Sequence, residues 1–308
     1  MKKLLVLLLP LLILTGCNKD KREYTKNIFY MDTIINIKIY DNNESKVNEA
    51  LDYIDSLYSK YQDVADYYSE SSELYKFNHG NKYISNDLKE LVDIGLDWYK
   101  KSNGLLNINI GGITKLWHDF RNGGSFPSDK ELNSIDISIK DDFYNSNNIN
   151  VDLGAITKGY VTELAGEYLE KQGLNYYIIN AGGNVKVGKS YKGYYNIGIT
   201  SPIETNATFY VLKAENINVV TSGGYERFYE YEGKLYHHII DPNTRYPANY
   251  VKSVTVIGKD SGQCDALSTT LFLMSIEDGK KFIKDYDVDV IWYTNDNQII
   301  KNDGFRYE

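Results

Sequence analysis

The sequence is poor in cysteine, histidine and proline: its 308 residues include 2 Cys, 4 His and 5 Pro. Two cysteines cannot build the disulfide framework of a small secreted scaffold. The histidines show no zinc-ligand spacing and have no cysteine partner nearby, which argues against a zinc site. A P-loop and a G-x-G-x-x-G turn are both missing, so the nucleotide folds they mark have no support. There is no internal repeat and no low-complexity block. No apolar run reaches the ~20 residues that a membrane-spanning helix needs. Positive charge is also short, with 34 Lys and Arg against 42 Asp and Glu and a net charge of −8, a poor match to nucleic acid or to a generic anionic surface.

What the N-terminus does carry is an address. Met1-Lys2-Lys3 precedes an apolar run, Leu4 to Leu14, broken only by Pro10. A basic start, an apolar stretch and small residues after it form the layout of a secretory signal. Leu14-Thr15-Gly16-Cys17 reads as a lipobox, in which the Cys17 thiol takes a lipid and becomes the new N-terminus. The alternative is an ordinary signal, or a short buried helix, that happens to carry a cysteine. The lipobox reading divides the chain into a signal segment (1–16), a lipidated Cys17 with a polar tether (17–28), and one folded domain (29–308). It expects a protein anchored to the cell membrane and facing outside the cytoplasm, on the periplasmic or extracellular side. Loss of Lys2 and Lys3, with no acid lost, would take the net charge from −8 to −10. With Cys17 lipidated, Cys264 has no partner and no disulfide is expected.

The periodicity mixes strands and helices without strict alternation, which predicts an α+β fold rather than a doubly wound sheet. Thr33–Tyr40 alternates as a strand, and residues 46–61 and Asn86–Lys101 repeat at helical spacing. Residues 119–148 are polar and are expected as a surface excursion. Further on, Gly154–Gln172, Asp265–Ser275 and Ile276–Tyr286 are predicted helices. Strands are predicted at Tyr176–Asn180, Asn184–Gly188, Tyr194–Thr200, Thr208–Ala214, Val219–Ser222, Arg227–Tyr231, Val251–Gly258 and Val288–Tyr293.

Several segments carry chemistry. Asp152-Leu153-Gly154-Ala155-Ile156-Thr157-Lys158 joins an extended piece to a helix start, where free N–H groups favour an anion such as phosphate and Lys158 adds a cation. The bland alternative is an Asp-Gly turn that only starts a helix. Asp265 and Thr269 are four apart and share a helix face, with Ser268 beside them. Their hard oxygens suit Mg²⁺; alternatively, Asp265 is a helix cap. His237-His238-Ile239-Ile240-Asp241-Pro242-Asn243-Thr244 places His238 near Asp241, where it suits a general base or a residue that orients one. Asn180-Ala181-Gly182-Gly183-Asn184 predicts a tight hairpin. Thr221-Ser222-Gly223-Gly224-Tyr225-Glu226-Arg227 predicts a turn that leaves Arg227 to pair with an anion.

In this order, DLGAITKGY, NAGGN, TSGGYER, HHIIDPNT and DALST resemble the ApbE family of FAD:protein FMN transferases, over about residue 29 to the end. The resemblance implies a single ApbE-like domain with mixed or antiparallel sheets. It implies an enzyme that uses Mg²⁺ to cleave FAD, its substrate, transferring FMN to a Thr or Ser hydroxyl of a target flavoprotein and releasing AMP. Met31, Tyr61, Leu105, Leu106, Asn107, Asp152, Lys158 and Ile240 would contact FAD, Tyr61 by stacking. Asp265, Thr269 and the Ala155 carbonyl would hold Mg²⁺, and Ser268 sits where some members place a second carboxylate. His238 or Asp241 would take the proton of the acceptor hydroxyl. The implied partner is a flavoprotein with an FMN-binding domain, from a membrane redox complex or an extracellular electron-transfer chain. FAD binding alone and FAD hydrolysis to FMN and AMP are the competing activities. The chain departs from the family pattern at Asp32 and Arg245, each in place of Gly, and at Asn107 in place of Asp.

Overall fold

The computed structural model describes residues 20–204 and 207–307. The expected signal segment and Cys17 lie outside the described residues. The chain begins with β1 (Arg22–Tyr30), β2 (Thr33–Asp41), α1 (Glu44–Ala65), α2 (Glu73–Asn78), α3 (Asn86–Lys101), α4 (Gly111–Arg121), α5 (Asp129–Ser134) and α6 (Thr157–Lys171). It continues through β3 (Tyr177–Ala181), β4 (Asn184–Val187), β5 (Tyr195–Thr200), β6 (Thr208–Ala214), β7 (Ile217–Gly223), β8 (Phe228–Tyr231) and β9 (Lys234–His237). The last elements are β10 (Ser253–Gly258), α7 (Ser261–Phe272), α8 (Ile276–Phe282), β11 (Asp289–Tyr293) and β12 (Ile299–Lys301).

Eight strands form one sheet in the order β1-β2-β3-β4-β7-β10-β11-β12, and each neighbouring pair is antiparallel. The expected α+β class holds. Both faces of the central strands are covered because their side chains alternate. Val220, Val254, Val256, Val290 and Trp292 face the helices and join the main core with Val161, Ala165, Leu267 and Leu271. Ile217, Val219, Ile257 and Ile291 face the other way, against Ile197, Ile199 and Leu212 of the β5–β6 ribbon. Helix α1 lays Val47, Ala50, Leu51, Ile54, Tyr58 and Tyr61 on the core, and Asn43 caps it by accepting from the Lys46 N–H.

Two expectations change. The tether was expected to run to residue 28, but Arg22–Tyr30 is a full strand paired along its length with β2. Its inward positions include Lys26, which ion-pairs with Asp52 and Asp55 of α1. Residues 119–148 are not simply surface. Phe120, Leu132 and Phe143 are buried, and Phe120 and Leu132 build a small third core with Trp117 and Ile240. Asn180–Asn184 makes the expected hairpin, with Gly182 at φ 55° and Gly183 at φ 85°. Cys264 is a free, buried thiol.

Candidate active site

The site forms where α6 meets α7. Helix α6 follows Ile156 with no side-chain cap; the Ile156 and Thr157 N–H groups already donate to the Leu153 carbonyl at 3.0 Å, which leaves those of Lys158 and Gly159 without an intrahelical partner. One of them is answered from across the interface: the Gly159 N–H donates to Asp265 Oδ2 at 2.7 Å. That donor would ordinarily serve the Ala155 carbonyl four residues back, so the Ala155 oxygen is left for another partner. The close approach requires glycine, because a methyl at 159 would overlap Asp265 Cβ and lie 2.7 Å from the Ser261 carbonyl oxygen.

Asp265 is not a helix cap; Asp260 holds that position by accepting from the Gln263 N–H. Burial pushes the Asp265 carboxyl up, against the pull of Lys158 and the Gly159 N–H. Burial likewise raises Glu226, opposed by Lys158 and Arg227 and reinforced by Asp265. Lys158 therefore sits in the field of both acids. Thr269, partly exposed, shares a hydrogen bond of 3.3 Å with Ser222 Oγ. Ser268 differs from its expected role as a metal ligand. It is wholly buried, donates to the Asp265 carbonyl at 2.9 Å and pairs with Ser222 Oγ at 2.7 Å, which fixes α7 against β7.

Asp152 lies on the approach to α6. Its Oδ1 accepts from the Gly154 N–H at 2.9 Å and its Oδ2 from Thr114 Oγ1 at 2.7 Å. Tyr67 and Tyr68 both stand in the field of Asp152, and Arg121 in the fields of Tyr68 and Asp152. Tyr68 is 47% exposed and stacks on His118 with ring centroids 4.1 Å apart. Tyr61, the expected stacking residue, is only 3% exposed, donates to Asp87 Oδ1 at 3.2 Å and meets Tyr160 edge-on. It lies on the inward face of α1, so neither ring face is open to a flavin. Tyr68, in the field of Asp152, keeps an exposed ring instead.

The other expected FAD contacts divide. Leu105 is half-buried, whereas Leu106 and Ile240 are buried in the core. Asn107 accepts from the Asn109 N–H at 2.8 Å and donates to the Ile137 carbonyl at 3.0 Å. An aspartate could not make the second bond, so the Asn in place of Asp suits this interior. Met31 and Asp32 form the β1–β2 turn with φ of 53° and 58°. This conformation favours Gly, and Asp32 is held there by Arg227 at 3.5 Å. Arg227 is thus not left free for an anion: it also donates to the Met31 and Asp32 carbonyls at 3.4 Å.

His238 carries a buried Nδ1 with no hydrogen-bond partner. Burial lowers its basicity well below the ordinary imidazole range, and Arg227, His237, Arg121 and Lys158 add to this. His238 and Asp241, near in sequence, share no hydrogen bond. Asp241 turns its Oδ1 to the Asn243 N–H at 2.8 Å and its Oδ2 towards Tyr250, shaping the loop instead. His237 accepts from the Ile239 N–H through Nδ1, and its Nε2 lies 2.8 Å from the Ala248 carbonyl. Arg245 adopts φ 65° and donates to the Leu132 and Ile135 carbonyls at 2.6 and 2.7 Å. The segment 128–135 thereby buttresses the loop that bears His238.

The arrangement joins a buried carboxylate, a free carbonyl and a hydroxyl to a cationic helix start, suited to a hard cation and a phosphate together. The sequence matches the ApbE family model over residues 31–292. It is 29% identical over 299 residues to the FAD:protein FMN transferase of Klebsiella pneumoniae (strain 342), covering 91% of this chain and 92% of that protein. It is 30% identical over 305 residues to the FAD:protein FMN transferase of Buchnera aphidicola subsp. Baizongia pistaciae, covering 88% and 87%. The fold is similar to the ApbE protein of Thermotoga maritima, with a TM-score of 0.82 at 24% identity, covering 92% of this chain and 97% of that one. The flavin transferase ApbE from Vibrio cholerae gives a TM-score of 0.78 at 25% identity, covering 92% and 98%. The chain belongs to the ApbE family.

Proposed function

We propose that this member of the ApbE family is an FAD:protein FMN transferase that moves FMN from FAD to a Thr or Ser hydroxyl of a target flavoprotein and releases AMP. The observation that carries the reading is the buried Asp265 carboxylate bonded to the first turn of α6, beside Lys158. A carboxylate placed there at the cost of desolvation suits a site that receives a cation. Asp265, Thr269 and the Ala155 carbonyl are the residues that would hold Mg²⁺. When bound, the ion supplies charge stabilisation to the pyrophosphate and to the departing AMP.

The chain's own residues supply the rest. Lys158, through its ammonium and its open backbone N–H at the start of α6, binds the pyrophosphate. Tyr68 stacks on a ring of FAD, and Met31, Leu105 and Asp152 border the same substrate. His238, kept neutral by burial and by the surrounding cations, accepts the proton of the acceptor hydroxyl as that oxygen bonds to the FMN phosphorus. The P–O bond to AMP breaks, and the bridging oxygen leaves with AMP. The acceptor belongs to the FMN-binding domains of membrane redox complexes or extracellular electron-transfer chains. Cys17 is the lipid attachment point, and the enzyme works outside the cytoplasm at the membrane surface.

The test is to incubate the protein with FAD, Mg²⁺ and an acceptor domain and then separate the products under denaturing conditions. Covalent flavin fluorescence on the acceptor supports transfer. Release of FMN and AMP with an unlabelled acceptor would point to hydrolysis. Tight FAD binding without turnover would leave only a carrier.

A further inference from the structure

We infer that the Arg22 end of the sheet is a membrane-facing surface: a tyrosine and lysine patch that seats the domain on bilayer headgroups, with the catalytic end pointing away. The inference rests on the reading of Cys17 as a lipid attachment point.

The first observation is the length of chain between the lipid and the fold. Only Asn18, Lys19, Asp20 and Lys21 separate Cys17 from Arg22, the first residue of β1. Five residue steps span at most about 18 Å when fully extended. A tether this short cannot let the domain tumble freely above the bilayer. Whatever surface surrounds Arg22 is held within reach of the headgroups.

The second observation is what that surface is made of. The backbone bond from the Tyr40 N–H to the Tyr176 carbonyl, and the pairing of Arg22 with Asp41, bring the ends of β1, β2 and β3 together. The Tyr40 ring lies 5.5 Å from Tyr191 and 6.0 Å from Tyr195, and Tyr176 lies 6.1 Å from Tyr191. Lys21, Lys192 and Lys213 extend over the rings of Tyr176, Tyr191 and Tyr194 at 4.6, 5.2 and 4.8 Å. Tyr194 is 46% exposed. Tyrosine, with an apolar ring and a wet hydroxyl, and lysine, with an apolar stem and a charged tip, are the side chains that settle at the headgroup level. The acids of this end are partly neutralised: Asp41 pairs with Lys21 at 3.5 Å, Glu44 with Arg22 at 2.8 Å and Glu23 with Lys38 at 3.3 Å, while Glu215 accepts from the Ser190 N–H at 3.2 Å. The patch is therefore amphipathic rather than strongly charged, which favours a bilayer interface over an acidic or basic protein. An acyl anchor combined with a second, weaker surface attachment is also the usual route to stable membrane binding.

The third observation gives the orientation. The nine residues of β1 rise about 30 Å at ~3.4 Å each. At its far end, Tyr30 leads into Met31 and Asp32, which Arg227 clasps at the rim of the active site. A domain seated on its Arg22 end thus presents its active site roughly 30 Å from the seat along the strand. The acceptor hydroxyl is expected on a domain that stands at that height, not on one lying flat on the bilayer.

The experiment uses the lipidated full-length protein in vesicles of phosphatidylethanolamine and phosphatidylglycerol. Cys264 is buried, so a cysteine introduced at Lys192→Cys, in the patch, or at Glu232→Cys, in the β8–β9 turn beyond Arg227, is the reactive thiol for a nitroxide label. We expect the label at 192 to be several-fold more accessible to lipid-dissolved oxygen, relative to a water-soluble nickel chelate, than the label at 232. Equal or reversed accessibility in the anchored protein overturns the seating. Tyr191→Ser combined with Tyr194→Ser should leave the protein on floated vesicles but remove the difference between the two labels; a difference that persists would also overturn it. Mass spectrometry of the N-terminal peptide separates the two readings. An unmodified Cys17 defeats the anchor itself, whereas a lipidated Cys17 with equal labels defeats only the seating.

Discussion

The Gly159 N–H and the Asp265 carboxylate meet at 2.7 Å, so a single hydrogen bond ties the first turn of α6 to the second turn of α7. The bond removes one open donor from the helix start and fixes the one carboxylate that the proposed metal site most needs. It depends on a glycine, since the added methyl of any other residue would press on backbone at Ser261 as well as on Asp265.

Gly159→Ala should therefore force α6 and α7 apart. Overpacking of this kind costs ~1–3 kcal/mol, which for a domain of this size lowers Tm by several degrees. FMN transfer should fall by much more than the stability loss explains, because the carboxylate moves. Thermal unfolding and transfer assays on the same preparation check both parts. A variant with parental Tm and turnover would show that the two helices separate freely.

Asp265→Asn separates metal binding from packing. The amide keeps the shape and can still accept from Gly159, while the buried charge is gone. Because burial raises the Asp265 carboxyl, the variant without metal should be as stable as the parent or more so. It should lose Mg²⁺-dependent turnover and any calorimetric signal for Mg²⁺. Retained metal-dependent activity would reassign the ligand, with the nearby Glu226 as the next carboxylate to test.

Tyr68→Ala should weaken FAD binding roughly tenfold, in keeping with ~1–1.5 kcal/mol for an aromatic stack together with its lost contact area. Tyr61→Phe, which removes only the hydroxyl that donates to Asp87, should leave FAD binding unchanged and lower stability by about 0.5–1.5 kcal/mol. Quenching of FAD fluorescence and thermal unfolding distinguish the two. The reverse pattern would return the stacking role to Tyr61.

The pair also shows what could be seen in the sequence. The chemistry-bearing segments stand in the right order and on the right elements, because glycine turns and helix starts are written locally. Whether a tyrosine faces a core or a cleft is not local. Tyr61 belongs to the apolar face of α1, whereas Tyr67 and Tyr68 follow its C-terminal Asp66. Two adjacent aromatics just past a helix end were the available signal. Strand β1 was hidden for a related reason: its inward alternation, Tyr24, Lys26, Ile28, Tyr30, is broken by a lysine that finds its acids on α1. His238 and Asp241 stand close in sequence yet do not meet, because Asp241 answers its own loop, a choice that depends on where the Pro242-Asn243-Thr244 turn closes.

The pH dependence follows from His238. Its basicity is lowered well below the ordinary 6.5 by burial first and by neighbouring cations second. Between the depressed folded value and 6.5, the unfolded chain binds the proton and the folded one does not. Stability therefore falls as pH drops through this range, and the contribution is fully present above the unfolded value. Tm should decline from pH 7.5 to 5, and His238→Gln should flatten part of that decline. If His238 is the base, the acidic limb of FMN transfer should lie below pH 6.5 and disappear from the residual activity of the variant. A limb unchanged in His238→Gln would place the base elsewhere.

Arg245 offers the sharpest ordering. It adopts φ 65°, which costs a non-glycine residue about 1–2 kcal/mol. Its guanidinium donates to the carbonyls of Leu132 and Ile135 at the C-terminal end of α5, where a cation is favoured. Charge-assisted hydrogen bonds contribute ~1.5–3 kcal/mol each when well shielded, and these are only partly so. Arg245→Gly relieves the backbone and loses both bonds; Arg245→Ala loses both bonds and keeps the strain. Stability should thus fall in the order Arg, Gly, Ala, with the Gly variant lower than the parent by about 1–3 kcal/mol. The Trp117 indole N–H still donates to the residue-245 carbonyl in both variants, so the loop should loosen rather than unfold, lowering kcat more than FAD affinity. Thermal unfolding sets the order and steady-state kinetics the split. If the Gly variant equals or exceeds the parent, the arginine contacts add nothing and glycine alone is what this turn requires.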